Sequence, residues 1–217
     1  RARSIRTTWI TSLFVILSVV GFSYLISIAG TDADGNPVKV PAAEVVSQSV
    51  LGNPIVMVLV ASLGAMAFGH EYRYGTIRLT LTAFPRRTGV FFAKLLTTLF
   101  IPLLVLAVAV AASYGLLVAL GSTDTAALGD PAITWPDALW QMPVFVLTYA
   151  VLAFCLTLIT RNHPLGIIGP LLLSLVETAL IAILGGRVEW LPQVLPLWSM
   201  QTWFSGEDVA LSVGVWG

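Results

Sequence analysis

The sequence predicts an all-α membrane protein, a polytopic helical bundle whose N-terminus is cytoplasmic. Apolar residues make up 57% of the 217 residues and charged residues only 10%, against roughly 25% charged residues in a soluble domain. The mean hydropathy is correspondingly high, at +0.91. The apolar residues are also gathered into five long runs, and the segments between these runs hold nearly all of the charge.

Each apolar run is long enough to cross a bilayer, whose core of about 30 Å needs roughly 20 residues as a helix. The runs cover residues 9–29, 54–70, 89–120, 142–160 and 164–185. The third run exceeds one crossing, so we expect part of it to tilt or to extend into water. Residues 1–217 are predicted to form a single transmembrane domain, and we expect a sixth span beyond Gly217.

The basic residues set the predicted orientation. With the N-terminus inside, the cytoplasmic side holds the three arginines of residues 1–6, the five basic residues of 73–94, and Arg161. Only Lys39 and Arg187 then lie outside, and this asymmetry favours a cytoplasmic N-terminus. The formal net charge of zero gives no electrostatic reason to expect nucleic acid as a partner.

The segments outside the runs differ in character. The first outer loop, residues 30–50, is polar, and we expect Pro37 and Pro41 to break any long helix there. The turn at 161–164 is so short that the fourth and fifth spans should form an antiparallel hairpin, with Pro164 in the first turn of its helix. The aromatic tail, residues 186–210, is interrupted by prolines and should form short helices in the outer interface.

Small residues recur every four positions in two of the runs and predict close helix packing. They are Ala61, Ala65 and Gly69 in the second run and Ala107, Ala111, Gly115 and Ala119 in the third. The alternative is that alanine is simply common in these runs.

The cytoplasmic segment 71–88, between the second and third runs, predicts a short amphipathic helix. One helical face is marked by the spacing of Tyr74, Ile77, Leu81 and Phe84. Pro85 should end this helix, and the basic pair Arg86 and Arg87 follows. The chain would thus leave the second span, lay a helix on the inner surface and re-enter the membrane.

The residues of this segment resemble a known motif. Glu71-Tyr72-x-x-Gly75-Thr76-Ile77-Arg78, followed by Leu79, Leu81 and Pro85-x-Arg87, is similar to the motif after the second span of permeases from type-2 ATP-binding-cassette (ABC) exporters. The N-terminal stretch Arg3-Ser4-Ile5-Arg6-x-Thr8-Trp9 also resembles bacterial members of that family. The span order resembles the family over the whole chain, and the absent sixth span is the departure.

The resemblance implies a coupling helix that docks in a groove of a separate ATP-binding subunit. The coupling residues it implies are Glu71, Tyr72, Gly75, Thr76, Arg78, Leu81, Pro85, Arg86 and Arg87. Glu71 is expected to begin the helix, where its charge would suit the positive N-terminal end. The arginines are expected to pair with acids of the partner or with lipid phosphates. The alternative is an amphipathic helix that merely rests on anionic lipid.

The resemblance further implies a permease subunit that converts the motion of the ATP-binding subunit into alternating access and export across the bacterial plasma membrane. ATP and Mg would belong to that partner, so we expect no cofactor, metal or enzyme activity in this chain. A second permease chain, identical or homologous, would complete the unit. Alternatives are a membrane anchor or sensor that recruits an ATPase without transport, and a membrane-embedded lipid-modifying enzyme.

Glu177 lies near the middle of the fifth run, where an ionised side chain costs about 3 kcal/mol or more. It should therefore face the interior of the bundle, on the same helix face as Gly166, Pro170 and Ser174. We predict that Ser174 and Glu177 are candidates for a substrate pathway. The alternative is a protonated glutamate that is hydrogen-bonded across a helix interface.

Overall fold

A computed structural model describes residues 2–29, 40–73, 87–121, 133–184 and 194–204. Every regular element within these ranges is an α-helix, which confirms the predicted fold class. The helices are α1 (Ala2–Ala29), α2 (Ala42–Leu51), α3 (Pro54–Arg73), α4 (Arg87–Ala119), α5 (Trp135–Thr160), α6 (His163–Leu184) and α7 (Pro196–Phe204).

Four or five of the described helical units can cross a membrane. α1, α4, α5 and α6 are each long and apolar enough to do so, and α2 with α3 forms a fifth unit that is bent by 58°. The five apolar runs of the sequence therefore all fall on helices. α4 has 33 residues, or about 50 Å at 1.5 Å per residue, so it exceeds one bilayer core as predicted.

The first outer loop differs from the prediction, because residues 42–51 form a largely buried helix. The helix follows Pro41, where the missing N–H does no harm, since the first N–H groups of a helix have no helical acceptor. Its two buried hydroxyl groups are satisfied locally: those of Ser47 and Ser49 donate to the carbonyl oxygens of Glu44 and Val46 at 3.0 and 2.7 Å. A segment of polar composition can therefore pack inside the bundle.

The bend between α2 and α3 is stabilised by a helix cap. Asn53 is buried, and its side-chain oxygen accepts a hydrogen bond from the Ile55 backbone N–H at 3.0 Å. Pro54 occupies the first position of α3, the position that proline favours in helices. Asn53 thus lies at the bend between α2 and α3 and caps the N-terminus of α3.

α3 lies at the centre of the bundle, where it packs against α1, α4, α5 and α6. The largest fully buried side chains are Tyr149, Phe145 and Phe154, all on α5. The outermost helix is α6, which buries only Gly166, Pro170 and Glu177. Most of its other residues are apolar and at least partly exposed, as expected of a helix that faces lipid.

The connection between α5 and α6 has the predicted hairpin form. Only Arg161 and Asn162 separate the two helices. Arg161 adopts a left-handed conformation, with φ 53° and ψ 26°, and the Gly166 N–H donates to the Asn162 carbonyl at 3.2 Å. Pro164 lies in the first turn of α6, as predicted.

α7 is a nine-residue helix in the aromatic tail. Leu197 and Phe204 are both buried in the main hydrophobic core, so α7 contributes side chains to the interior of the bundle. Residues 186–193 and 205–210 of the predicted interfacial tail lie outside the described residues.

Candidate coupling site

The structure describes the two ends of the predicted coupling segment. Glu71 and Tyr72 lie in the last turn of α3, and Arg87 begins α4. The other motif residues, Gly75, Thr76, Arg78, Leu81, Pro85 and Arg86, lie outside the described residues. The expectation that Glu71 begins a new helix is wrong for the described backbone, because α3 continues through Arg73.

Lys94 bridges α3 and α4 close to the ends that flank the coupling segment. Its ammonium donates a hydrogen bond to the Ala67 carbonyl oxygen at 2.7 Å and lies 4.2 Å from the centre of the Phe68 ring. Hydrogen bonds from a charged donor are stronger than neutral ones, and an ammonium over an aromatic face adds about 0.5–2 kcal/mol. Lys94 is one of the five basic residues of 73–94, and no pattern in the sequence indicates this bridge.

An aromatic cluster of Phe68, Phe91 and Phe154 joins three helices at the same level. The ring centres of Phe68 and Phe154 are 5.5 Å apart, and those of Phe91 and Phe154 are 5.7 Å apart. The three rings come from α3, α4 and α5 respectively. Aromatic pairs at such separations contribute about 0.5–1.5 kcal/mol beyond the burial of their surface.

Two glycines bring α3 very close to α5 and α6. A Cβ atom on Gly64 would overlap the carbonyl oxygen of Ala150 on α5, and one on Gly69 would overlap the imidazole ring of His163 on α6. The predicted stripe of Ala61, Ala65 and Gly69 is buried. This confirms that small residues allow close helix packing on α3.

The second predicted stripe behaves differently. Its members on α4, Ala107, Ala111, Gly115 and Ala119, are all exposed. A Cβ on Gly115 would meet no atom within 4 Å. The prediction of close packing is therefore wrong for α4 within the described part of this chain. Because α4 is apolar on every side over residues 99–112, hydropathy could not indicate which face turns inward there.

Glu177 faces the bundle interior, as predicted, and is only 2% exposed. Its Oε2 accepts a hydrogen bond from the Trp198 backbone N–H at 2.7 Å. Trp198 is the third residue of α7, where N–H groups have no acceptor within the helix. Glu177 of α6 therefore caps α7 from outside that helix. Ser174, the other predicted pathway residue, is half-buried on the same face of α6.

Comparison with known proteins agrees with the predicted family. The chain matches the family model described as ABC-2 family transporter protein over residues 3–201. No curated protein and no solved structure matches it. The matched region extends from the start of α1 into α7 and so includes both helices that flank the coupling segment. The chain therefore belongs to the ABC-2 family of transporters and is a multi-pass permease subunit of an ABC transporter.

Proposed function

We propose that this permease subunit works in export and receives its driving motion through the segment between α3 and α4. Family membership implies an ATP-binding partner subunit, which in this proposal holds the ATP and Mg. The observation that most supports coupling at this place is the bridge from Lys94 to Ala67. It ties together the two helices that leave and enter the coupling segment.

The bridge matters because a force on the segment would otherwise separate its two ends. With Lys94 and the aromatic cluster in place, α3 and α4 respond together, and the contacts at Gly64 and Gly69 pass the motion to α5 and α6. Close-packed protein interiors transmit strain and absorb little of it. α3, α5 and α6 would then move as one body and switch the bundle from inward-open to outward-open.

The switch from inward-open to outward-open needs a source of free energy and a second permease chain. The source is the different affinity of the ATP-binding subunit for the two states of the permease. The second permease chain is identical or homologous to this one, in a bacterial plasma membrane. In this proposal Glu71, Arg78, Arg86 and Arg87 contact the ATP-binding subunit or lipid phosphates at the cytoplasmic surface.

Charge reversal in the purified complex tests the coupling. We expect Glu71→Lys and Arg78→Glu each to lower the permease-stimulated rate of ATP hydrolysis about tenfold, the factor that corresponds to 1.4 kcal/mol. Lys39→Glu and Arg187→Glu are matched controls, because they reverse charges predicted to lie on the outer side. Unchanged stimulation in the first pair, or an equal loss in both pairs, would show that coupling lies elsewhere.

A transport assay in sealed vesicles separates export from the alternative of an anchor or sensor. The exporter requires that hydrolysis changes the side from which the bundle is accessible. A complex that assembles and hydrolyses ATP without such a change would support the anchor or sensor.

A further inference from the structure

We propose that α7 is a lid over the outer end of the bundle and that Glu177 is the latch that holds the lid closed. The inference extends the proposed function, on which it rests for the outer end being the exit side. Three observations carry it: the cap that Glu177 provides, the cavity beneath the far end of α7, and the isolation of the charge.

The latch is the contact between Glu177 and the first turn of α7. Pro196 has no N–H group, so the first donors of the helix belong to Leu197 and Trp198. The Glu177 Oε2 atom accepts from Trp198 at 2.7 Å. A carboxylate at the positive end of a helix is favoured by the dipole as well as by the hydrogen bond. Because Glu177 belongs to α6, breaking this bond removes a polar contact between α6 and α7 without unfolding either helix.

The lid function comes from the opposite end of α7. Phe204 is only 5% exposed, and its ring packs edge-on against Trp140 of α5, with centres 5.7 Å apart. Phe204 also lines a cavity of about 400 Å³ with Gln48, Met57 and Phe145. The cavity lies beside the bend between α2 and α3. Movement of α7 would withdraw Phe204 and widen the opening of this space.

The chemistry around Glu177 favours two discrete positions of α7. Within residues 6–29, 40–69, 88–121, 133–184, 194–200 and 204, where burial is described, Glu177 is the single buried acidic or basic residue. Its Oε1 atom is buried and has no hydrogen-bond partner in those ranges. A buried charge is costly unless it is paired, so a partly withdrawn helix would leave the carboxylate in its least favourable environment. The stable arrangements are the capped, closed lid and an open lid that admits water to the carboxylate.

Cysteine labelling of the whole complex tests the lid. The reporter is Met57→Cys, at a buried position that lines the cavity, in a Cys155→Ser background, with a membrane-impermeant maleimide added outside. We expect slow labelling at rest and labelling about tenfold faster when a hydrolysis-deficient ATP-binding subunit traps the nucleotide-bound state. Glu177→Ala should label at the fast rate in both states. Glu177→Gln retains an acceptor oxygen and should label more slowly than Glu177→Ala.

A second pair of variants leaves Glu177 intact. Trp198→Pro removes the N–H donor at a position in the first helical turn, where proline is tolerated, and Trp198→Ala retains the donor. We expect fast labelling at rest in the proline variant, with the alanine variant at least about fivefold slower, because only the proline variant loses a charge-assisted hydrogen bond. A mere loss of the indole ring would affect both variants alike.

The lid proposal is overturned if Glu177→Ala labels as slowly at rest as the native complex, or if the two Trp198 variants label at equal rates. It is also overturned if Glu177→Gln labels as fast as Glu177→Ala. These outcomes are independent of the proposed function. If Glu71 and Arg78 reversals abolish ATPase stimulation while labelling never changes, the coupling assignment stands and the lid is wrong. If the reversals have no effect while the Glu177 variants label fast, the lid stands and the coupling assignment is wrong.

Discussion

Replacing Gly64 by alanine tests whether α3 and α5 meet through their backbones. The added Cβ would overlap the carbonyl oxygen of Ala150, which is part of a helical backbone and cannot rotate aside. Overpacking of this kind costs about 1–3 kcal/mol, and the better helix propensity of alanine returns up to about 1 kcal/mol. The overlap is with backbone atoms, so the cost should lie at about 2–3 kcal/mol and the net loss at about 1–2 kcal/mol. For a chain of this length such a loss lowers the melting temperature by about 2–8 °C.

The assay is thermal unfolding of the purified permease in detergent, followed by circular dichroism, with Gly115→Ala as the matched control. Gly115 is also a helical glycine in an apolar span, but a Cβ there would meet no atom within 4 Å. Its melting temperature should stay the same or rise. If Gly64→Ala melts no lower than the native chain, or if both variants shift equally, the close approach of α3 and α5 is refuted.

Two further substitutions test the bridge and the aromatic cluster. Phe154→Ala should lower the free energy of unfolding by about 3–5 kcal/mol in the same detergent unfolding assay, because it leaves a cavity among three helices. The control is Ile159→Ala on the same helix, where the side chain is 78% exposed. This control should lower the free energy of unfolding by less than about 1 kcal/mol. Lys94→Met removes the ammonium but keeps an apolar chain of similar length, and we expect the ATP-binding subunit still to co-purify while its stimulated hydrolysis falls at least about fivefold. Native stimulation in Lys94→Met, or equal losses in the two alanine variants, would contradict these expectations.

Much of the fold could be predicted because membrane insertion depends on local composition. An apolar run of sufficient length forms a helix in lipid whatever its neighbours are, since every backbone group must be satisfied within the segment. The five runs accordingly coincide with helices. Helix α2 was missed because the polar composition and the prolines of residues 30–50 indicated a loop. Its two buried serines donate to carbonyls within the same helix, so they do not prevent a helix there.

The candidate site could be predicted only in part. The motif around Glu71 indicated the family, which the match over residues 3–201 shows. The prediction that a new helix begins at Glu71 was wrong. α3 continues through Arg73, and nothing in the local sequence indicates that it extends so far. The Lys94 bridge joins residues 27 positions apart, and no periodicity connects two such positions.

By itself the sequence determined the fold class, the positions of the long apolar helices and the family, all of which depend on hydropathy or on a contiguous motif. Only the tertiary structure decided which helix faces turn inward. Two similar stripes of small residues differ in burial: the stripe on α3 is buried, whereas the stripe on α4 is exposed. It also decided that Glu177 caps α7, 21 residues further along the chain. The physical reason is that apolar helices carry little polar contrast between their faces, so neighbouring helices decide the orientation of each one.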